Sequence, residues 1–212
     1  VDTETSSLDP ITADLLGISF SWKKGAAYYI NISAPAGASG GEDKNIKTDL
    51  FNYNKKDIAK NTNREWLEKI KPILENGEVK KYGHNIKFDM LVLRNNGINL
   101  AGAEFDTMVA SYLLNPGSRQ HNLDAVTFSE FGFEKISKND LLGTGREKKK
   151  FDEVETGKLS LYSCEDADFT FRLAIKLKER LAQEKLDKLF AEIEMPLIPV
   201  LAGMDNNGIK LD

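Results

Sequence analysis

Six polar side chains fall into three pairs whose types and spacing can do chemistry. Asp2 and Glu4 are two apart in Val1-Asp2-Thr3-Glu4-Thr5, a β-branched stretch that reads as a strand. Strand alternation sends both carboxylates out of one face, a few ångströms apart. Neighbouring carboxylates repel unless a cation neutralises them, and hard oxygen ligands of this kind favour magnesium or manganese. Asn85 and Asp89 are four apart at a helix start and so share a face. Asn85 alone fits a helix N-cap. Asp89 lies between Phe88 and Met90-Leu91, an apolar setting in which a carboxylate needs a partner. Tyr162 and Asp166 repeat the four-residue spacing further on, beside Glu165 and Asp168. Taken singly, each pair is a weak signal: an isolated Asp-x-Glu usually reads as solvated acids on a strand end, Asn85 as a helix cap, and Tyr162 with Asp166 as a half-buried tyrosine beside surface acids.

The elements that must position these pairs follow from periodicity. Leu15 to Trp22 and Ala26 to Ile32 read as strands joined by a Lys23-Lys24-Gly25 turn, which with Val1 to Thr5 predicts a three-stranded meander. Residues 34–45, rich in Ala, Gly and Ser, read as a surface loop. Trp66, Ile70, Ile73 and Leu74 mark a helix face, with Asn61, Thr62 or Asn63 as capping candidates and Asn76-Gly77 at its end. Val79 to Tyr82 reads as a short strand, Ile86 to Asn95 as a helix closed by Asn96-Gly97, and Thr107 to Leu114 as a helix stopped before Pro116. From Gly157 to Leu201 the pattern is helical, with Leu161, Phe169, Leu173, Ile175 and Leu177 apolar and with Pro196 and Pro199 expected to kink or restart it. Strands followed by strand-helix alternation predict an α/β layer fold.

With 212 residues, 41% hydrophobic and 29% charged, the chain can bury one sizeable core. No apolar run approaches the roughly 20 residues of a membrane span, and no basic-then-apolar leader opens the sequence, so the expected location is cytoplasmic. Cys164 is the only cysteine and His84 and His121 the only histidines, which excludes an internal disulfide and leaves poor material for zinc. A net charge of -4 argues against a general polyanion binder. Only local basic patches offset it: Lys23 with Lys24, Lys80 with Lys81 and Lys87, and the run Arg146, Lys148, Lys149, Lys150.

Together and in this order the three pairs resemble the exonuclease motifs of the DEDD family, in its tyrosine-containing subclass. The surrounding residues narrow the likeness. Val1-Asp2-Thr3-Glu4-Thr5-x-Ser7-Leu8-Asp9, Gly83-x-Asn85-x-Lys87-x-Asp89, Phe105-Asp106-Thr107-Met108 and Tyr162-x-x-Glu165-Asp166-Ala167-Asp168 are similar to the proofreading region of bacterial family A DNA polymerases. The tail from Glu192 through Pro196 and Pro199, ending in Asn207-Gly208-Ile209-Lys210-Leu211-Asp212, resembles the segment leading from that region into a polymerase domain.

That resemblance implies a ribonuclease H-like fold, a mixed central sheet flanked by helices, with residues 1–184 as the exonuclease domain and 185–212 as a helical lead toward a polymerase domain. It implies a metal-dependent 3'-5' exonuclease that hydrolyses the terminal phosphodiester of DNA to nucleoside 5'-monophosphates, in the service of proofreading. Asp2, Glu4, Asp89 and Asp166 would hold two Mg2+ or Mn2+ ions about 4 Å apart, with Asp2 shared between them, and Tyr162 would orient the attacking water. A single-stranded or frayed 3' end is the expected partner, with Leu8 wedged beside the terminal base, Thr3 and Asn85 in contact with the strand, and His84 at the rim. Where relatives carry a base-stacking aromatic this chain has Lys138, which implies weaker stacking and a backbone charge contact in its place. By its composition, the run Arg146 to Lys150 reads either as a phosphate contact or as a solvated loop. Only Val1 precedes Asp2, so the chain reads as an excerpt of a longer protein. Two rival readings remain at this point: a non-catalytic spacer supporting a polymerase, and an RNA-trimming exonuclease of the same superfamily.

Overall fold

Alternating apolar residues at the start of the chain form the expected meander. In the computed structural model, which describes residues 1–32, 64–145 and 148–208, β1 (Asp2–Thr5) pairs antiparallel with β2 (Leu15–Lys23), and β2 with β3 (Ala26–Asn31). Gly25 closes the hairpin at φ 78, a left-handed conformation that costs glycine little. Loop 34–45, the capping candidates Asn61, Thr62 and Asn63, Arg146 and residues 209–212 lie outside the described residues.

A second, parallel ladder pairs β4 (Lys81–Gly83) with β5 (Ala103–Asp106), and α2 (Ile86–Asn95) makes the crossover that parallel strands require. The Val1 nitrogen donates to the Tyr82 carbonyl at 2.8 Å, so the two ladders meet where β1 passes β4. Antiparallel and parallel pairing thus both occur, as a mixed arrangement requires, in two adjoining ladders rather than one continuous sheet. On one side, Ile18 and Phe20 pack with Leu67, Ile70 and Leu74 of α1 (Arg64–Leu74) and with Val92 and Leu93 of α2. The other side faces α6 (Thr156–Gln183), which packs along β2 and β3. The remaining helices are α3 (Thr107–Leu114), α4 (Leu123–Phe131), α5 (Lys138–Leu142), α7 (Asp187–Leu189) and α8 (Met195–Asn207).

Helix α6 is the spine of the larger core. Its buried stripe runs Leu159, Ser163, Asp166, Thr170, Leu173, Leu177, Leu181, the three-and-four spacing of one helix face. This corrects the expected apolar face: Leu161 and Ile175 fall off that stripe and are 63% and 47% exposed. The helix ends in a Schellman motif, with Lys185 at φ 60 and the Leu186 N–H donating to the Leu181 carbonyl at 2.8 Å. After it, a π-helical turn (Phe190–Glu194) restarts the chain as α8, whose first turn carries Pro196, while Pro199 lies one turn further inside. Phe190, Met195 and Ile198 insert between Phe105, Ile86 and Leu177 in the same core.

Candidate active site

Strand β1 and the buried stripe of α6 bring the first and third pairs together. Oxygens of Asp2, Glu4 and Asp166 all lie within 4.8 Å of one another. Glu4 and Asp166 are buried, and the Glu4 Oε1 atom is shut from solvent with no hydrogen-bond partner. An orphaned buried acceptor costs about 1–3 kcal/mol, more if charged. Burial, then the charge of Asp89, pushes the Asp2 carboxyl up to about 7. Burial, then Asp2, pushes Asp166 up to about 7, and burial with Asp2 and Asp166 holds Glu4 well above the ordinary carboxylate range. Three hard oxygen donors, mutually repelling and incompletely hydrogen-bonded, fit a divalent cation such as magnesium or manganese.

Asp89 arrives from the first turn of α2 and is the most buried of the four acids, at 2% exposure. It accepts from both the backbone N–H (3.0 Å) and the hydroxyl (2.6 Å) of Thr3, the residue between Asp2 and Glu4. Burial dominates in raising its carboxyl to about 7, against the pull of the Thr3 hydrogen bonds. It is not one of the three acids that converge, but sits beside them, clipped to the same strand.

Asn85 holds the N-cap position of α2 yet makes no capping bond through its side chain, and adopts φ 64, uncommon for a residue with a Cβ. The cap is supplied by Asp106 instead. Its Oδ2 accepts from the Ile86 N–H (2.7 Å), and its Oδ1 from the N–H groups of Asn85 (3.3 Å), Met108 (2.8 Å) and Val109 (3.1 Å). One carboxylate therefore caps α2 and α3 together, releasing the Asn85 side chain to the cleft. In the sequence Asp106 stands out only as part of Phe105-Asp106-Thr107-Met108. An aspartate just before a helix is a readable cap signal for α3, but its reach to α2 is a tertiary fact. His84, next in line, bonds through Nδ1 to the Thr107 hydroxyl at 2.8 Å and is held neutral, its pKa pushed down to about 3 first by burial and then by Lys135.

A cleft of about 420 Å³ opens over the acids, lined by Asp2, Thr3, Glu4, Leu8, Asn85, Phe88, Lys138, Lys148, Lys150, Phe151, Tyr162 and Asp166. His84 is not among its lining residues. Leu8 stands at the rim, 78% exposed. Tyr162 lies one turn before Asp166, its ring 6.2 Å from that of Phe151. Burial, then Asp166, Glu4 and Asp2, push its pKa upward, so the phenol stays protonated. The Lys138 ammonium lies 4.9 Å over the Phe151 ring. Of the basic patches, Lys148 and Lys150 are exposed on the cleft wall and Lys23 and Lys24 at the hairpin tip. The middle patch is not an open one: Lys81 donates to the Asn76 carbonyl at 2.6 Å, Lys80 lies 3.9 Å from Glu104, and Lys87 donates to Asp205 at 2.6 Å.

Lys135, which no local sequence pattern marks, is a lysine buried beneath the site. Its side chain is fully buried, its ammonium bonds the Asp166 carboxylate and lies 3.3 Å from Asp124, and it sits 5.4 Å over the Tyr162 ring. Burial works to lower its pKa, but Asp166, Asp124 and Glu165 outweigh that and raise it. Asp166 is 31 residues away, so no local pattern marks the lysine.

Residues 1–182 match the model of a family described as 3'-5' exonuclease. The chain belongs to that family. It is similar along its whole length to the DNA polymerase I of Borreliella burgdorferi, at 37% identity over 212 residues, and to that of Rhizobium leguminosarum, at 35% over 213. It spans 20% and 21% of those two relatives, about a fifth of their length. Among solved structures, Brucella melitensis NrnC aligns over 98% of this chain and 84% of its own, with TM-score 0.66 and 21% identity. A structure described as the apo form of a nuclease aligns over 98% of this chain and 83% of its own, at TM-score 0.67 and 21% identity. These two likenesses bear on the fold and agree with the ribonuclease H-like architecture. The exonuclease family is metal-dependent, in keeping with the acidic cluster. Among the described residues no helix is long and apolar enough to cross a membrane.

Proposed function

We propose that this exonuclease domain removes nucleotides from the 3' end of DNA, releasing nucleoside 5'-monophosphates, and serves proofreading by a polymerase domain in the same polypeptide. The observation that carries this reading is the convergence of Asp2, Glu4 and Asp166 at the floor of a cleft whose wall carries Lys148 and Lys150. The two relatives named above are DNA polymerases, which favours DNA over the RNA-trimming alternative, and the retained acids speak against a non-catalytic spacer. A cytoplasmic setting follows from the proposed substrate. The exonuclease domain would take residues 1–184 and the helical lead residues 185–212, the boundary falling at the Schellman turn that ends α6.

Asp2, Glu4 and Asp166 would hold one divalent ion, magnesium or manganese, and Asp89 with Asp2 a second. When bound, the ions would neutralise the acids and stabilise negative charge on the attacking and leaving oxygens. The chain's own groups do the rest. Thr3 fixes Asp89 against the strand through two hydrogen bonds. The Tyr162 hydroxyl, kept protonated, acts as a hydrogen-bonding group that orients the attacking water rather than as its base. Leu8 would wedge against the terminal base, and Thr3 and Asn85 would contact the strand, Asn85 from its unusual backbone position. Lys138, Lys148 and Lys150 would meet phosphates, and His84 would support the rim without charge. Unpaired ends suit such a cleft because their bases cost least to expose.

The test is degradation of a 5'-labelled single-stranded DNA oligomer with magnesium or manganese, beside EDTA, an RNA oligomer of the same sequence, and the variants Asp2→Asn and Asp166→Asn. A metal-dependent ladder shortening from the 3' end, lost in both folded variants by a factor of about a thousand or more, is expected. Undiminished cleavage in either variant, or preference for the RNA, overturns the reading.

A further inference from the structure

We propose that Lys135 is a built-in counter-cation for Asp166 that competes with the divalent ion, so that this side chain sets the metal concentration at which the site fills. The inference rests on the metal-dependent reading above. Its ammonium is completely buried, and its shortest contact is the same Asp166 carboxylate whose oxygen converges with those of Asp2 and Glu4. A divalent ion that binds this carboxylate meets a positive charge already on it. Two cations on one carboxylate in a buried place repel strongly.

The structure also gives the ammonium a second seat. Asp124, at the first turn of α4, lies 3.3 Å from the same nitrogen and is half exposed, with 49% of its side chain accessible. The site can thus exchange Lys135–Asp166 for Lys135–Asp124 without leaving the lysine unpaired. Glu4, whose Oε1 atom has no partner, is not reached by any hydrogen bond from Lys135, so the lysine answers only part of the cluster's charge and leaves room for the ion. This arrangement makes Lys135 a positioning residue. In the metal-free chain it restrains Asp166, and on filling it retreats.

Reciprocity of linked binding fixes the expected effects. Manganese binding to the 212-residue chain, without DNA, is measured by electron paramagnetic resonance of the free ion for the unaltered chain, Lys135→Met and Asp124→Asn. Lys135→Met is expected to bind manganese about fivefold or more tightly, and Asp124→Asn, which removes the second seat, about two- to fivefold more weakly. Without metal, Lys135→Met should also melt lower and gain more from saturating manganese. If folded Lys135→Met binds manganese no more tightly than the unaltered chain, the inference is overturned. Should Lys135→Met not fold without metal, Asp124→Asn decides alone, and unchanged affinity there overturns it equally. An unaltered chain with no saturable manganese binding overturns the metal-dependent reading itself, a result distinct from either.

Discussion

Replacing Asp106 tests whether one carboxylate organises both the helix that carries Asp89 and the helix that follows it. Asp106 is 1% exposed and accepts four backbone N–H groups, two on each side, the shorter pair at 2.7 and 2.8 Å. Losing an ordinary N-cap costs about 1 kcal/mol, and each buried N–H left without an acceptor about 1–3. Asp106→Ala strands donors at the starts of α2 and α3 where water cannot readily replace the carboxylate, so a loss of about 3–5 kcal/mol is expected. Asp106→Asn keeps one acceptor oxygen and turns the other into a donor, so about 1–2 kcal/mol is expected for it. Urea unfolding measures both, with the slope checked to ensure that the unfolded state is unaltered. For a chain of this size the alanine variant should melt roughly 10 °C lower. A destabilisation under about 1 kcal/mol for Asp106→Ala would mean that the two helix starts do not depend on this carboxylate, and the shared-cap account would fall.

Two further outcomes are expected. Asp2, Asp89 and Asp166 are held at about 7 when folded against an ordinary 3.8, so the metal-free folded chain binds protons more tightly than the unfolded one. Their contribution to stability is complete below about pH 4 and is lost as pH rises through 7, so in EDTA the melting temperature should fall from pH 5 to 8, with magnesium restoring it at pH 8. A flat or rising profile in EDTA contradicts the burial argument. Lys148→Ala with Lys150→Ala should weaken single-stranded DNA binding and reduce the slope of log K against log salt by about 1.4, since each phosphate contact contributes about 0.7. An unchanged slope would remove these lysines from the DNA path.

What was legible in the sequence was what is local. Period-two stretches gave the three strands of the meander, and the helices Ile86–Asn95 and Thr107–Leu114 emerge at their expected bounds because Asn96-Gly97 and Pro116 punctuate them. Two-residue and four-residue spacings put Asp2 with Glu4 and Tyr162 near Asp166 for the same reason. Helix α5 escaped notice although Ser137 and Asp140 form a capping box, because five residues leave no periodicity to read. Strand β5 is four residues long and α4 has almost no one-sided apolar pattern, so neither announced itself. The Lys135 contact with Asp166, the reach of Asp106 to α2 and the burial of Asp89 under Thr3 join residues 20 to 86 positions apart, and only the folded chain shows them.

The clip between Thr3 and Asp89 bears on how the molecule can go wrong. Side chains on a strand alternate, so sliding β1 by a single residue against β2 would exchange the acids for the threonines on the cleft side while leaving most sheet hydrogen bonds able to re-form. Such a molecule would turn two carboxylates toward the apolar side of the sheet, would leave the buried Asp89 without its Thr3 partner and would cut nothing. Thr3, whose amide and hydroxyl both meet Asp89, penalises the slip, as does the Val1 bond to the Tyr82 carbonyl. Specific activity in a purified sample therefore reports the fraction of chains that settled with the acids facing the cleft.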